Sequence, residues 1–449
     1  NFYHKPQISL NHYWTINEQS SLSTSLYASI ATGGGRRVRG NHTEWLTIDY
    51  NTGRPKDGAM MTTDGLIDFH SAMEANAASE NGSEVIFTNA INDHKWYGLL
   101  SSYKNRFTEN FTLTGGFDGR YYRGYHAEKI DDLLGGAYYA PGSKALDFQT
   151  SDAILKEGDY SVGEIVWAGL FAQAEYTKEK WSAFLSASLT EEAYRYHDRG
   201  GAPIDGKKIS DFYHFLPWSV KGGFNYKFTK NHTVFVNAGY FTRAPFFNAV
   251  FPNNNIVAND NAPYEKIMTF ELGYGFSTHN FNLALNGYYT RWNDKTTRRQ
   301  IGDEYANITG LDAVHMGVEL EATYKPVENL ELKGMFSYGD WKWADDVNFT
   351  LYDDMGAPIG TYNAYVKDVH VGNSAQMTGA LSASWEMFKG LKLSVDYNYA
   401  GKNYADFDPS NRTDKSDAGV DAWKLPDFYT IDLGMSYRFD LCTGLKQCV

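Results

Sequence analysis

Segment after segment of this chain alternates apolar and polar residues, and the connections between segments are by turns very short and very long. Along 181–189, Trp181, Ala183, Leu185, Ala187 and Leu189 point one way while Ser182, Phe184, Ser186 and Ser188 point the other. Val314, Met316, Val318, Leu320, Ala322 and Tyr324 alternate with His315, Gly317, Glu319, Glu321 and Thr323. Tyr429, Ile431, Leu433, Met435, Tyr437 and Phe439 do the same with Thr430, Asp432, Gly434, Ser436 and Arg438. Successive side chains of a strand lie on opposite faces, so each segment has one apolar and one wet face. Many such segments in series, without helical stretches between them, describe an all-β fold. It is a transmembrane antiparallel β-barrel, apolar toward lipid and wet toward a lumen.

The pattern places fifteen strands near 5–14, 20–32, 94–106, 111–124, 165–178, 180–194, 215–228, 232–242, 264–276, 280–293, 313–325, 328–341, 374–388, 391–400 and 427–440. Short links such as Thr108-Glu-Asn110, Thr229-Lys-Asn231 and Val327-Glu-Asn329 carry residues that satisfy turn geometry locally. The long links fall at 33–93, 125–164, 195–214, 243–263, 294–312, 342–373 and 401–426. This strict sorting is expected of an outer-membrane barrel with periplasmic turns and extracellular loops. A soluble sandwich has no reason to sort its loops by length.

Composition agrees. No run approaches the roughly 18 apolar residues of a membrane helix, but a barrel shows lipid only every second residue. The 33 Tyr, 27 Phe and 11 Trp cluster at strand ends, as in Tyr13-Trp14, Trp96-Tyr97, Tyr121-Tyr122 and Tyr288-Tyr289, where amphipathic rings favour the membrane interface. A net charge of −13 without a basic patch disfavours nucleic acid as a partner. The two cysteines, Cys442 and Cys448, make neither a disulfide framework nor a zinc site, and an unpaired tail is the expected reading. Glu319, Glu321, Asp396, Asn398, Asp432 and Arg438 are expected to face the lumen.

Chemistry-bearing motifs are sparse. The chain has no Gly-x-Ser-x-Gly elbow, no phosphate-cradling loop and no His-Glu-x-x-His, so no enzyme and no cofactor are expected. Gly33-Gly-Gly-Arg-Arg37 reads as a flexible strand exit. Arg36, Arg37 and Arg39 with His42 and Trp45 form the one candidate rim for an anionic ligand. The loop Asp406–Asp417 has oxygens at several calcium-loop positions but lacks the central Gly and the terminal Glu, so no metal is expected there. His70, His126, His197 and His214 lie in or near loops, with nothing to select a haem-binding pair.

Two segments resemble the TonB-dependent outer-membrane receptors. Gly239-Tyr-Phe-Thr-Arg-Ala-Pro-Phe-Phe247 ends a strand with an Arg243-Ala244-Pro245 box. After the next loop, Asn259-Asp-Asn-Ala-Pro-Tyr-Glu-Lys266 and Phe270-Glu-Leu-Gly-Tyr274 are similar to the family's "Asn-Pro-Asn-Leu-Lys-Pro-Glu-Lys … Glu-Leu-Gly" segment. Asn259, Asn261, Glu265, Lys266, Glu271, Leu272 and Gly273 match; Asp260, Ala262 and Pro263-Tyr264 depart from it. Asp-His-Lys-Trp-Tyr-Gly at 93–98 and the segment 429–439 further resemble receptors of the Bacteroides type.

Pro245 lacks the N–H a ladder needs and is expected to stop its strand. Arg243 and Glu265 are expected to pair across neighbouring strands at the root of that loop, and Glu271 to face inward beside Gly273 and Gly275. The resemblance implies a barrel of 22 strands with a plugged lumen. It also implies ligand capture by the loops and energy delivered by TonB through the plug. By the same resemblance, residues 1–449 hold about fifteen strands, start near the sixth, and contain neither the plug nor the last strands, as a fragment or truncated product would. The expected function is barrel wall of a receptor in the bacterial outer membrane, embedded in its lipid and importing a scarce nutrient, iron–siderophore or haem first, cobalamin or oligosaccharide as alternatives. A passive porin or surface adhesin is the reading from a different class.

Overall fold

The computed structural model describes residues 1–49, 52–140, 150, 153–155, 160–252, 254–301, 304–352 and 358–439. Fifteen long strands follow one another in a single antiparallel meander. They are β1 (Gln7–Thr15), β2 (Ser20–Gly40), β3 (Val85–Arg106), β4 (Phe111–Asp132) and β5 (Ser161–Lys178). Next come β6 (Trp181–Asp198), β7 (Trp218–Lys227), β8 (His232–Arg243), β9 (Glu265–Ser277) and β10 (Phe281–Ile301). The series ends with β11 (Glu304–Val327), β12 (Leu330–Trp343), β13 (Met377–Phe388), β14 (Leu391–Gly401) and β15 (Phe428–Tyr437). Each pairs with its neighbours in sequence, and the outermost two, β1 and β15, each have one long-strand partner among the described residues. No helix among the described residues is long and apolar enough to cross a membrane, so any crossing is made by strands.

Exposure follows the alternation. Leu185 and Leu189 on β6 are 59% and 54% exposed, and Met316 and Val318 on β11 are 44% and 49% exposed. A soluble protein would bury such a face; here it is the surface offered to lipid. The opposite face holds Glu319, Glu321, Asp396, Asn398 and Asp432. Asn286 Nδ2 donates to Glu319 across the β10–β11 ladder at 3.5 Å.

The inner face has a repeated device. Tyr27 lies directly opposite Gly98 in the ladder, Phe171 opposite Gly116, Phe184 opposite Gly223, Phe235 opposite Gly273 and Tyr288 opposite Gly317. In each pair the ring lies where a Cβ on the glycine would be, so the aromatic lies flat on the wall instead of projecting into the lumen.

Several strands run further than the alternation indicates. β2 continues to Gly40 rather than residue 32, β3 starts at Val85 rather than 94, and β4 continues to Asp132. Gly33-Gly34-Gly35 is therefore not a flexible exit. It is laddered against Phe2 and Tyr3 on one side and β3 on the other, with the rings of Tyr3 and Phe2 filling the space of missing side chains. The expected loop 294–312 is likewise a strand pair, since β10 and β11 stay paired up to Ile301 and Glu304, with register shifts on either side of Lys295. Above the membrane the lipid-dictated alternation ends, but ladder hydrogen bonds continue to satisfy the backbone. Cys442 and Cys448 lie outside the described residues.

Buried apolar side chains collect at the loop ends of the strands. One cluster joins Ile308, Leu311, Trp343 and Phe349 to Val366, Val369 and Tyr404; another joins Tyr194 and Tyr196 to Val250 and Phe251. A third packs Leu46, Ala72, Val85 and Leu134 under the helix α1 (Phe69–Ala78), and a fourth packs Ile86 and Ile130 with Tyr139 and Leu155. Asp68 starts α1 by accepting from Ser71 N at 3.0 Å, which satisfies one of its free N–H groups.

Candidate functional site

At the loop end of β8, Pro245 stops the strand and the chain turns over the inner face. Arg243 and Glu265 face each other in register, with Arg243 Nη2 3.7 Å from Glu265 Oε1. Glu265 is fully buried and also accepts from Trp292 Nε1 at 3.1 Å and Thr296 N at 3.4 Å. Ala244 and Pro245 are buried, and the Arg243 guanidinium stacks on Phe246 at 3.9 Å. The loop then forms a short helical turn, Phe247–Val250, that seats Val250 and Phe251 on Tyr194 and Tyr196 of β6. Those tyrosines sit on the face opposite Leu185 and Leu189, so the loop folds inward over the lumen mouth.

The remaining family-motif residues brace the same loop. Asn259 N donates to Val250 O at 2.7 Å and its side-chain oxygen accepts from Asn261 N at 3.1 Å. Lys266, on the outer face, reaches Asp294 at 2.8 Å, and Glu271 accepts from Asn237 at 3.2 Å on the inner face.

Below this cap, three inward side chains lie side by side across neighbouring strands: Arg120, Trp167 and Glu192. Arg120 is aimed by Asp118, with Nε donating to Oδ1 at 3.0 Å, and its guanidinium covers the Trp167 ring at 4.9 Å. Glu192 is only 7% exposed and accepts from Tyr194 Oη at 2.7 Å. Trp167 Nε1 and Arg243 Nη2 are buried donors without an acceptor. The upper lumen wall thus presents two guanidinium groups beside aromatic faces, with the two unmet N–H donors buried behind them, a surface suited to an oxygen-rich, partly aromatic ligand. None of Arg120, Trp167 and Glu192 was reached from the sequence pattern. The available signal was the Arg120-Tyr-Tyr-Arg123 run, whose alternation puts Arg120 and Tyr122 inside and Tyr121 and Arg123 outside.

The five residues expected to form an anionic-ligand rim are dispersed. Alternation along β2 puts Arg36 on one face and Arg37 and Arg39 on the other. Arg36 pairs with Asp131 and stacks on Phe87 at 4.9 Å. Arg39 grips Glu128 with both ends of its fork, Nε to Oε1 at 2.9 Å and Nη2 to Oε2 at 2.6 Å, while Thr88 Oγ1 donates to the same carboxylate at 2.5 Å. Burial pushes the Glu128 pKa up, but the Arg39 and Thr88 hydrogen bonds outweigh it and hold the pKa below the usual value. His42 stacks on Trp45, centroids 4.5 Å apart, and its Nδ1 lies 2.8 Å from Glu44; Trp45 packs against the Leu46 cluster. Within the 406–417 loop, Asp408 and Asp414 cap short 3-10 turns, and no group of three metal-ligating side chains occurs among the described residues.

Residues 3–446 match the family profile described as "TonB dependent receptor-like, beta-barrel". Among solved structures, the chain is similar to the copper transporter OprC, at a TM-score of 0.65 and 14% identity over 98% of this chain and 58% of that one. The unliganded ferric citrate transporter FecA aligns at 0.61 and 12% identity, over 98% of this chain and 54% of FecA. BauA, the ferric preacinetobactin receptor from Acinetobacter baumannii, aligns at 0.56 and 12%, over 96% of this chain and 55% of BauA. The chain thus spans a little over half the length of these structures. No curated protein matches the sequence significantly.

Proposed function

The chain belongs to the TonB-dependent receptor β-barrel family, and from that premise we propose that it is the wall of an active importer for a large, scarce, metal-bearing nutrient. Members of this family are outer-membrane receptors and not enzymes, so the barrel is read as spanning the outer membrane. The observation that carries the proposal is the inner surface below the 244–264 cap. Arg120, Trp167 and Arg243 line a lumen mouth that the loop partly covers, as selective capture requires and an open pore does not. An iron chelate or haem is the favoured cargo. The named relatives are a ferric citrate transporter, a ferric preacinetobactin receptor and a copper transporter, and guanidinium groups beside aromatic rings fit an anionic chelate. TonB acts, in this reading, through a plug seated in the lumen, and the loops meet the ligand outside.

The test is uptake of labelled ferric chelates, haem and a copper chelate by cells producing the full gene product, with and without TonB and a protonophore. Saturable uptake that needs both TonB and the proton gradient is expected. Uptake unaffected by either would show a passive pore.

A further inference from the structure

Plain alternation along β10 would turn Asp294 toward the lumen and Lys295 away from it. The ladder reverses this. Trp292 pairs with Ala313 and Lys295 with Leu311, so β10 carries one extra residue between the two pairs. β11 carries one between Leu311 and Ile308, which restores the register at Thr297. Two bulges of opposite sense therefore frame a single side chain and re-aim it. Asp294 takes a left-handed conformation (φ 58°), where its N–H donates to Asp312 Oδ1 at 2.9 Å and its carboxylate meets Lys266 at 2.8 Å. Such a backbone is strained for a residue with a side chain and persists where the contacts around it hold it.

Lys295 consequently points inward, into a cleft built from three adjacent strands. Trp292, Ala313 and Trp343 stand in one row across β10, β11 and β12, so the small Ala313 is the floor and two indoles are the walls. Lys295 Nζ lies between them, 4.8 Å from the Trp292 ring and 5.5 Å from the Trp343 ring. His315 and Trp341 close the side toward the turn end of the strands, their rings 5.7 Å apart.

The ammonium is half-buried, yet among the described residues it has neither an acid within ion-pair distance nor a hydrogen-bond acceptor. The neighbouring acids are engaged elsewhere: Glu265 with Arg243, Asp294 with Lys266, and Asp312 and Asp345 with Arg291. Between the row of Glu271 and Tyr288 and the Lys295–Leu311 pair, the inner face of β8–β12 holds two cations, Arg243 and Lys295, against the one carboxylate Glu265. Cation–π contact stabilises the Lys295 charge but gives its three N–H groups no oxygen.

The cleft offers one charge and few other donors. Trp292 Nε1 donates to Glu265 at 3.1 Å, Trp341 Nε1 donates to Tyr288 Oη at 2.9 Å, and Trp343 Nε1 is buried. A planar, singly charged carboxylate fits beside the indole faces. A phosphate would bring more charge and more oxygens than the cleft can satisfy.

We propose that Lys295 determines specificity for cargo charge, with the Trp292–Ala313–Trp343 cleft as the seat of a free carboxylate on the imported chelate. This rests on the importer reading and narrows it to carboxylate-bearing cargo, which includes ferric hydroxycarboxylates and haem and excludes neutral trihydroxamates. Lys295 supplies the charge, the two indoles hold the ammonium and flank the carboxylate, and the bulge at Asp294 aims it. The cleft lies five strands around the wall from Trp167, so it is a separate contact point from the Arg120–Trp167 surface.

The experiment measures binding to the detergent-solubilised full gene product of four probes: ferric citrate, iron-free citrate, inorganic phosphate and a neutral ferric trihydroxamate. Lys295→Gln removes the charge without breaking an ion pair or hydrogen bond among the described residues, so the barrel should still resist heated detergent. Its Kd for ferric citrate is expected to rise about tenfold or more, the worth of one charge-assisted hydrogen bond, while Lys295→Arg stays within about threefold of the parent. Lys342→Gln, on the outer face of β12, should change that Kd by less than about twofold. Unchanged ferric citrate affinity in Lys295→Gln, an equal loss in Lys342→Gln, or no binding of either citrate probe to the parent would overturn the proposal. So would a loss for the trihydroxamate as large as that for ferric citrate. Saturation by phosphate at the same concentration as citrate would show a general anion site and overturn the carboxylate assignment. The importer reading fails separately: uptake independent of TonB would sink it while leaving a citrate site that Lys295→Gln weakens. TonB-dependent uptake with the same cargo selectivity in the parent and Lys295→Gln would sink only the subsite.

Discussion

The membrane wall and the extracellular cap are made from the same strands yet are held together in opposite ways. Along the wall, apolar side chains such as Leu185 and Val318 stay outside, and the inner face is polar or lined by rings lying on glycines. Its stability comes from continuous ladders in a solvent that supplies no hydrogen bonds. Above the membrane the same β6 turns Tyr194 and Tyr196 into a buried core under Val250 and Phe251. That part behaves as a small soluble domain, where burying each large side chain is worth roughly 1.5–3 kcal/mol. The Arg39–Glu128 fork lies in the cap, whereas Glu319 in the wall is met by the neutral Asn286 amide.

The sharpest separation of the two regions is Phe251→Ala. It should cost about 3–5 kcal/mol within the cap, seen as rapid proteolysis at 244–264, while the barrel still resists heated detergent. Melting of the whole barrel would show that wall and cap are one cooperative unit. The reverse case is Leu185→Arg, which should cost about 2–4 kcal/mol in folding into bilayers, whereas Ser186→Arg one residue along should fold normally. Equal losses would break the assignment of faces.

A subtler wall variant is Gly273→Val, which displaces the Phe235 ring into the lumen. It should cost about 1–3 kcal/mol in refolding yield and narrow the lumen to polar solutes, with Phe235→Ala restoring both.

Acid should affect the cap before the wall. The Glu128 pKa lies below its unfolded value, so its contribution is complete above the ordinary carboxylate range and is lost as pH falls through the lowered pKa. Amide protection factors at 36–40 and 85–90, which correct for the intrinsic pH dependence of exchange, should therefore be steady from pH 7 to about 5 and fall below about 4, with those of β9 unchanged over the same range. Glu128→Gln should remove that acid step. The smallest effect is expected at the exposed Lys207–Asp211 pair, 3.4 Å apart, where Lys207→Ala should shift stability by less than about 0.5 kcal/mol.

This division also explains which features were legible in the sequence. All fifteen wall strands follow from alternation, because lipid on one side and water on the other impose it residue by residue. The cap does not follow, because both faces of a strand above the membrane can be covered. Thus Arg195-Tyr-His-Asp198 reads as a loop entrance yet is laddered strand. The Arg243–Glu265 contact was legible because each residue sits in a recognisable box at a strand end. The Arg120–Trp167–Glu192 row was not, since its members are brought together only by a register spanning three strands. Arg36 to Trp45 looked like one basic rim because they are close in sequence, but alternation and the turn after Gly40 send them to different partners.

Whether β6 carries a lipid-facing wall below a folded cap is decided by a nitroxide scan of β6 in bilayers, from 181 to 198, with Cys442 and Cys448 replaced by Ser. Labels at 183, 185, 187 and 189 are expected to meet membrane-dissolved oxygen while those at 182, 184, 186 and 188 meet a water-soluble relaxant. The oxygen signal is expected to disappear by residue 195. Labels on both faces equally accessible to the water-soluble relaxant, or no two-residue period, would contradict a lipid-facing wall carrying a folded cap.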